Sequence, residues 1–279
     1  MAAKTPTTLP DAFTPLVPGP LIRLSRGDIE ITVAPQAGGR IAQITRGGVG
    51  QLASFDESNN AMIAWGCYPM LPWAGRVRRG AFEFEGKVYR LPLNMGLHSI
   101  HGVGFAMAWE VDSHNAQRVE LSLELPRDER WPFGGSAHQR IELEEDQLLL
   151  TLSVSAGPVA MPATIGWHPW FLKPDRLRFA PSGIYPRDED GIATLPVASP
   201  SPGPWDDCFI NTEAVTLERG KQQLTLSSNC SHWVVYDQSA GATCVEPQSG
   251  PPDAFNIEPF VLAPGQTLTR WFRIAWAGD

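Results

Sequence analysis

The chain has few cysteines and few basic residues for its length. Four cysteines occur among 279 residues, and no two of them form a Cys-x-x-Cys pair. Disulfide-stabilised domains need many cysteines, so that class is not favoured and a reducing compartment is the simpler interpretation. The 22 Lys and Arg are outnumbered by 30 Asp and Glu, which gives a net charge of −8. Nucleic-acid binding depends on clustered cations, so we expect no nucleic-acid partner.

Long apolar runs are also missing. No uninterrupted apolar stretch approaches the length that spans a bilayer. Residues 1–20 contain five prolines and no apolar run that could serve as the core of a signal peptide. We therefore expect a protein without membrane association that works in the cytoplasm. No window of 11–18 residues places apolar side chains at helical spacing, so helices are not predicted.

Short segments of alternating apolar and polar residues are present instead, separated by turns rich in the 26 glycines and 26 prolines. Alternation of this kind predicts β-strands with one buried face. It occurs at residues 29–33, 119–125, 148–154 and 270–276, and residues 82–91 read as a hairpin that turns at Glu85-Gly86. The sequence thus predicts an all-β fold of two packed antiparallel sheets or a closed barrel. We expect one domain over residues 1–279, a proline-rich lead-in over about residues 1–20, and a long loop over residues 174–204.

Five clusters combine polar side chains that could take part in catalysis or binding with Gly, Pro and Trp. They are residues 72–80 (PWAGRVRRG), 98–102 (HSIHG), 166–171 (GWHPWF), 205–209 (WDDCF) and 244–253 (CVEPQSGPPD). Their order and spacing resemble those of the aldose 1-epimerase family, the galactose mutarotases and their shorter relatives. The resemblance extends over roughly residues 30–275. It implies a large antiparallel β-sandwich, the supersandwich of galactose mutarotase-like proteins, and a free monosaccharide as substrate without any cofactor.

The resemblance also implies roles for individual residues. Glu246 matches the family's catalytic base and His168 its catalytic acid, while His101, Arg76 and Asp206 match residues that contact the sugar. Asp207 stays open as an alternative to Asp206. We add His98 and Trp170 as candidate substrate contacts, the latter because an indole ring offers a large surface for a sugar face.

The chemistry can be stated without the family. Interconverting the α and β anomers of an aldose requires ring opening, in which one group takes the C1 hydroxyl proton while another gives a proton to the ring oxygen. A carboxylate and an imidazole can do both, and each positioned proton transfer contributes roughly 10²–10⁴-fold. Burial that raises the pKa of Glu246 towards neutrality would suit this role.

Three alternatives remain open at this point. His98, His101 and His168 could form a metal site, although the leading hypothesis needs no metal. A carbohydrate-binding protein without activity could share the fold. A hexose-6-phosphate 1-epimerase would need extra cations at the pocket, for which the sequence offers Arg78, Arg127, Arg130 and Arg178.

One position departs from the family pattern. Gly75 stands where the family usually has an Asn before the arginine. The loss of one amide suggests weaker handling of common hexoses, and Gly75→Asn is expected to raise turnover on glucose or galactose if that side chain restores a hydroxyl contact.

Overall fold

The computed structural model describes residues 8–276 and consists mainly of β-strands. In the first half of the chain the strands are β1 (Ile22–Arg26), β2 (Ile29–Ala34), β3 (Arg40–Arg46), β4 (Val49–Gly50), β5 (Cys67–Met70), β6 (Arg76–Val77), β7 (Ala81–Phe84), β8 (Lys87–Arg90), β9 (Ser99–Ile100), β10 (Glu110–His114), β11 (Arg118–Glu124), β12 (Ser136–Leu143) and β13 (Gln147–Ser155). The second half contains β14 (Met161–Pro162), β15 (Gly166–Leu172), β16 (Arg176–Arg178), β17 (Gly183–Tyr185), β18 (Asp206–Ile210), β19 (Val215–Arg219), β20 (Gln222–Ser228), β21 (His232–Tyr236), β22 (Ala242–Gln248), β23 (Val261–Leu262) and β24 (Thr267–Trp276).

Helical structure in the described residues is limited to short turns. They are α1 (Ala254–Ile257) and two 3₁₀ turns, Arg78–Gly80 and Gly104–Ala106. In the part of the chain that the structure describes, no helix has both the length and the apolar character needed to cross a bilayer. The prediction of an all-β fold is confirmed.

Two large antiparallel sheets form the body of the molecule. The first has ten strands in the order β1-β2-β3-β5-β15-β22-β21-β18-β17, with β4 paired to β3. The second has eight strands in the order β10-β11-β12-β13-β24-β20-β19-β16. The sheets share one hydrophobic core, in which Trp167 of β15 and Trp233 of β21 both pack against Phe272 of β24. This is the large antiparallel β-sandwich that the sequence predicted.

Strand β13 shows how the sequence produces this packing. Its residues 148, 150, 152 and 154 are fully buried, while the residues between them are only half-buried. Successive side chains on a strand point to opposite faces, so alternation in the sequence becomes one face in the core. The other strands predicted from alternation are confirmed, and the hairpin turns at Glu85 and Gly86, both with positive φ.

Two expectations about irregular segments need correction or restriction. The segment 174–204 is not one loop, because it contains β16 at the edge of the eight-stranded sheet and β17 at the edge of the ten-stranded sheet. Each strand has only three residues, too few to show alternation. In the lead-in, residues 1–7 lie outside the described residues. Residues 8–21 are mainly irregular, with one bridge between Pro15 and Ala61.

The middle of the ten-stranded sheet is covered on both faces. All seven residues of β22 are buried. One face of β15 and β22 contributes Trp167, Phe171 and Val245 to the shared core. Alternation therefore places His168, Trp170 and Glu246 on the opposite face, where loops cover the sheet.

A left-handed turn next to β9 gives a test of the packing. Gly102 has φ +77°, and a Cβ there would lie 1.8 Å from the carbonyl oxygen of Leu71. Gly86 has φ +72° but nothing within 4 Å of its would-be Cβ. Gly86→Ala should cost about 1–2 kcal/mol for the backbone strain alone. Gly102→Ala should cost at least about 3 kcal/mol, because overpacking is added to strain. Denaturant unfolding of both variants measures the difference, and equal losses would contradict the steric argument.

Candidate active site

The two residues predicted to transfer protons lie directly against each other. Strands β15 and β22 are antiparallel neighbours, and the register that pairs Trp170 with Cys244 and Gly166 with Gln248 places His168 opposite Glu246. The His168 Nε2 and Glu246 Oε1 atoms are 3.2 Å apart, and both side chains are buried. The sheet register therefore holds an imidazole and a carboxyl group within hydrogen-bond distance.

Neighbouring side chains fix the orientation of both groups. Gln248 Nε2 donates a hydrogen bond of 3.1 Å to Glu246 Oε2. The His168 ring stacks on the rings of Tyr68 and Trp170, with centroid distances of 4.7 and 5.3 Å. The Tyr68 hydroxyl and the Trp170 indole N–H both donate to the carbonyl oxygen of Ile63. This single carbonyl thus anchors the two rings that hold the imidazole.

A buried arginine lies behind Tyr68. Arg40 is wholly buried, and its guanidinium donates to four backbone carbonyl oxygens, those of Ala37, Met62, Trp65 and Phe105. The guanidinium carbon is also 4.9 Å from the centroid of the Tyr68 ring. Burial lowers the Arg40 pKa to about 9. Carbonyl dipoles and aromatic faces therefore stabilise the cation in place of a carboxylate.

Burial shifts the two groups of the pair in opposite directions. It lowers the pKa of His168 to about 3, with a smaller contribution in the same direction from the charge of Arg40. It raises the pKa of Glu246 well above its usual range, and the charge of Asp206 adds to this rise. Desolvation disfavours the charged form of each group. Both shifts therefore favour the state in which the two groups are neutral and one proton lies on the carboxyl group.

His101 reaches the same place from a loop. It has φ +60° and is followed by Gly102 in the same left-handed region, and its backbone N–H donates to Gly75 O. The centroid of its ring lies 5.0 Å from that of His168 in an edge-to-face arrangement. Burial holds the pKa of His101 well below its usual range, so the ring is neutral. Its buried Nδ1 has no hydrogen-bond partner among the described residues.

These side chains surround a cavity of about 310 Å³. Six of the predicted residues line it: Glu246, His168, His101, Arg76, Asp206 and Trp170. Asp207 lines it as well. The apolar part of the wall includes Phe13 of the lead-in, Ile63, Met95 and Ile100. The structure thus brings the catalytic candidates and most of the candidate sugar contacts together around one space.

His98 is the exception among the predicted residues. It is not among the residues that line the cavity, and its Nδ1 accepts a hydrogen bond from the backbone N–H of Arg79. The proposed three-histidine metal site therefore has only two of its members at the cavity.

A different donor set does occur there. The ligating atoms of His168, Cys244 and Glu246 lie within 4.8 Å of one another. Metal-bound histidines usually donate their second ring nitrogen to a fixed acceptor. Within residues 8–276, Nδ1 of His168 has no partner on another residue. The donors thus do not fit a supported metal centre, and the chemistry below uses none.

Sequence reasoning assigned no role to three residues at the site. Gln248 belongs to the Glu-Pro-Gln motif, which could have indicated its contact with Glu246. Tyr68 lies on a strand without a recognised motif. Arg187 comes from the irregular segment, and its Nη1 lies 2.6 Å from Asp206 Oδ2 while its Nε lies 3.1 Å from Asp207 Oδ1. In the sequence, nothing distinguishes Arg187 from a surface arginine.

The fold and the site define a β-supersandwich protein with a carboxyl–imidazole pair in a cavity. The sequence model of the aldose 1-epimerase family matches residues 20–275. The chain therefore belongs to the aldose 1-epimerase family. It is 33% identical to the uncharacterized protein YphB of Escherichia coli K12 over an alignment of 179 positions, which covers 61% of this chain and 59% of that protein. It is 25% identical to the uncharacterized protein YihR of the same organism over an alignment of 296 positions including gaps, which covers 92% of this chain and 93% of that protein.

Solved structures agree on the fold. A galactose mutarotase-like protein from Clostridium acetobutylicum has a TM-score of 0.83 at 16% identity, with coverage of 93% of this chain and 95% of that one. Galactose 1-epimerase from Lactobacillus acidophilus NCFM has a TM-score of 0.77 at 19% identity, with coverage of 92% and 98%. At these identities the likeness establishes the shared supersandwich fold.

The backbone at Gly75 opposes the sequence-based expectation for this position. Gly75 lines the cavity with φ +69°, and an added Cβ would lie 2.8 Å from Cβ and 2.9 Å from Cγ of Pro252. Asn tolerates the left-handed conformation, but the contact with the proline ring remains. The structure thus argues against the expectation that Gly75→Asn restores a hydroxyl contact, because Pro252 lies where the added Cβ would be.

We now expect Gly75→Asn to lower the melting temperature and to leave sugar turnover at or below the wild-type value. Gly75→Ala is the matched control, because it brings the same Cβ without the amide. Thermal unfolding and an anomer-exchange assay on both variants provide the comparison. A Gly75→Asn protein with unchanged melting temperature and faster turnover would show that Pro252 moves aside without loss of stability, and would contradict the steric argument.

Proposed function

We propose that the protein is an aldose 1-epimerase that interconverts the α and β anomers of a free aldose. The observation that carries the proposal is the buried His168–Glu246 pair, whose facing atoms lie at hydrogen-bond distance beside a cavity. Ring opening needs one proton removed and one proton delivered. A pair that holds one proton can do both in the same step.

The protons balance through the whole cycle. With the closed sugar bound, Glu246 is ionised and His168 is protonated. Glu246 takes the C1 hydroxyl proton, His168 gives its proton to the ring oxygen, and the bond between C1 and the ring oxygen breaks to leave the open-chain aldehyde. After rotation about the bond between C1 and C2, the reverse transfers close the ring on the other face.

The pair must be neutral when the open-chain sugar is bound and an ion pair when the closed sugar is bound, so burial favours the open-chain side of the cycle. Each group alone is disfavoured as an ion in this site. The neutral pair and the ion pair differ only in the position of one proton between two atoms that are 3.2 Å apart. In this proposal Arg76, His101 and Asp206 hold sugar hydroxyls, and Trp170 supplies a flat surface for the sugar ring.

A phosphorylated substrate suits the cavity less well. None of the four arginines considered for that role, Arg78, Arg127, Arg130 and Arg178, is among the residues lining the cavity. Arg76 and Arg187 do line it, but they share the wall with Asp206 and Asp207. The polar wall thus lacks the excess of positive charge that would bind a phosphate. A protein that only binds a sugar would gain nothing from the buried proton pair.

Substitutions of the pair test the mechanism. Glu246→Gln keeps the shape but cannot accept a proton, so turnover should fall by at least about 10²-fold, and His168→Asn should behave similarly. Sugar affinity should change much less, because an amide still makes a hydrogen bond. The double variant should lose far less than the product of the two single losses. Arg76→Ala should weaken binding along with turnover. NMR exchange between anomers and calorimetric titration measure both quantities, and near-native exchange by Glu246→Gln would exclude Glu246 as the base.

The directions of the two pKa shifts predict a pH profile. Turnover should be level while the pair holds one proton. It should fall on the acid side, where His168 and Glu246 together take up a second proton, and on the alkaline side, where Glu246 loses the only one. Since burial lowers the pKa of His168, the acid limb should lie well below the usual imidazole value of about 6.5. Enzyme-catalysed exchange, measured against buffer alone, checks the profile. An acid limb near that usual value would contradict the burial argument.

A further inference from the structure

We propose that Arg187 is a specificity-determining residue of this site that binds a sugar hydroxyl jointly with Asp206. The inference rests on the proposed function and adds a substrate contact that none of the five sequence motifs contains. It also limits the substrate at this wall to an uncharged part of the sugar.

The side chain of Arg187 lies between two carboxylates at the cavity wall. Its Nη1 donates to Asp206 Oδ2 over 2.6 Å, and its Nε lies 3.1 Å from Asp207 Oδ1. All three residues line the cavity, and the Arg187 side chain is 29% exposed. Its Nη2 carries two N–H groups that have no partner in the described part of the chain. The second oxygen of Asp206, Oδ1, likewise accepts no hydrogen bond there.

This arrangement matches the chemistry of a hydroxyl group. A hydroxyl both donates and accepts, so it can accept from a guanidinium N–H and donate to an adjacent carboxylate oxygen. Hydrogen bonds to charged partners are the stronger kind. A phosphate or carboxylate at the same place would meet two carboxylates for one guanidinium. The wall therefore favours a neutral polyol and disfavours an anion.

Contacts with Arg76 and Arg78 hold the loop that carries Arg187. Arg78 makes ion pairs with Asp188 and Asp190, and Arg76 Nη1 donates to Gly191 O over 3.3 Å. A bridge between Arg187 and Ala193 closes the base of the loop. The guanidinium is thus placed before the sugar binds, which reduces the ordering cost of binding.

Arg178, on β16 of the eight-stranded sheet, provides a matched control. It forms an ion pair with Glu218 over 2.6 Å, and its side chain is 55% exposed and absent from the cavity wall. Exposed ion pairs contribute little to stability, so Arg178→Met should leave both folding and sugar handling unchanged. Any general effect of removing a paired arginine would appear in this variant as well.

The experiment compares wild type, Arg187→Met, Arg187→Lys and Arg178→Met on glucose, galactose and their monodeoxy analogues, each lacking one hydroxyl. We expect Arg187→Met to raise KM by about 10- to 100-fold on the sugar that wild type handles best, with kcat within about threefold. For one monodeoxy analogue, the variant and wild type should have similar KM, because the hydroxyl that Arg187 binds is missing. Arg187→Lys should recover part of the loss, since it keeps the charge but not the planar fork.

Two results would overturn the inference while leaving the epimerase proposal intact. One is an unchanged KM in Arg187→Met for every sugar that wild type epimerises. The other is an equal loss on the parent sugar and on every monodeoxy analogue, which would show a purely structural role. If wild type exchanges none of the sugars, calorimetric titration still compares the sugar affinities of the variants. In that case only the epimerase proposal fails. A wild type that neither exchanges nor binds any of these sugars overturns both.

Discussion

The contact between His168 and Glu246 is the feature on which the proposed chemistry of this protein depends. Two ionisable groups are removed from water on the covered face of the ten-stranded sheet, at a distance of 3.2 Å. Neither would be stable there as an isolated ion. They can share one proton because the antiparallel register of β15 and β22 places them opposite each other. A shift of one residue between these strands would turn one of the two side chains into the hydrophobic core.

The surrounding structure keeps this pair both fixed and accessible. Tyr68 and Trp170 orient the imidazole through a common carbonyl acceptor, and Gln248 orients the carboxyl group. The left-handed backbone at residues 101 and 102 places the neutral ring of His101 edge-to-face against the ring of His168. Polar residues on loops and on β18 complete the wall. The sandwich therefore supplies rigidity, whereas the loops supply the groups that would choose the substrate.

Much of the architecture could be predicted from the sequence because it depends on local alternation. The strands around residues 29–33 and 148–154 bury one face each, so apolar residues recur at every second position in the sequence. The short edge strands β16 and β17 were not predicted, since three residues show no period. The pairing of His168 with Glu246 depends on the register of distant strands, so only the motif order indicated it. The position of His98 and the clash at Gly75 follow from backbone geometry that composition does not encode, and Arg187 belongs to a loop without any motif.

The central claim is that the buried pair opens the ring of a free sugar. The most direct measurement is magnetisation exchange between the α and β anomer signals of free aldoses in the presence of the wild-type protein, with the corresponding 6-phosphates in parallel. The account predicts that at least one free aldose exchanges much faster than in buffer alone, and that its 6-phosphate gains less. A wild-type protein that binds an aldose but leaves its exchange at the buffer rate would contradict the account and identify a binding protein on the same fold.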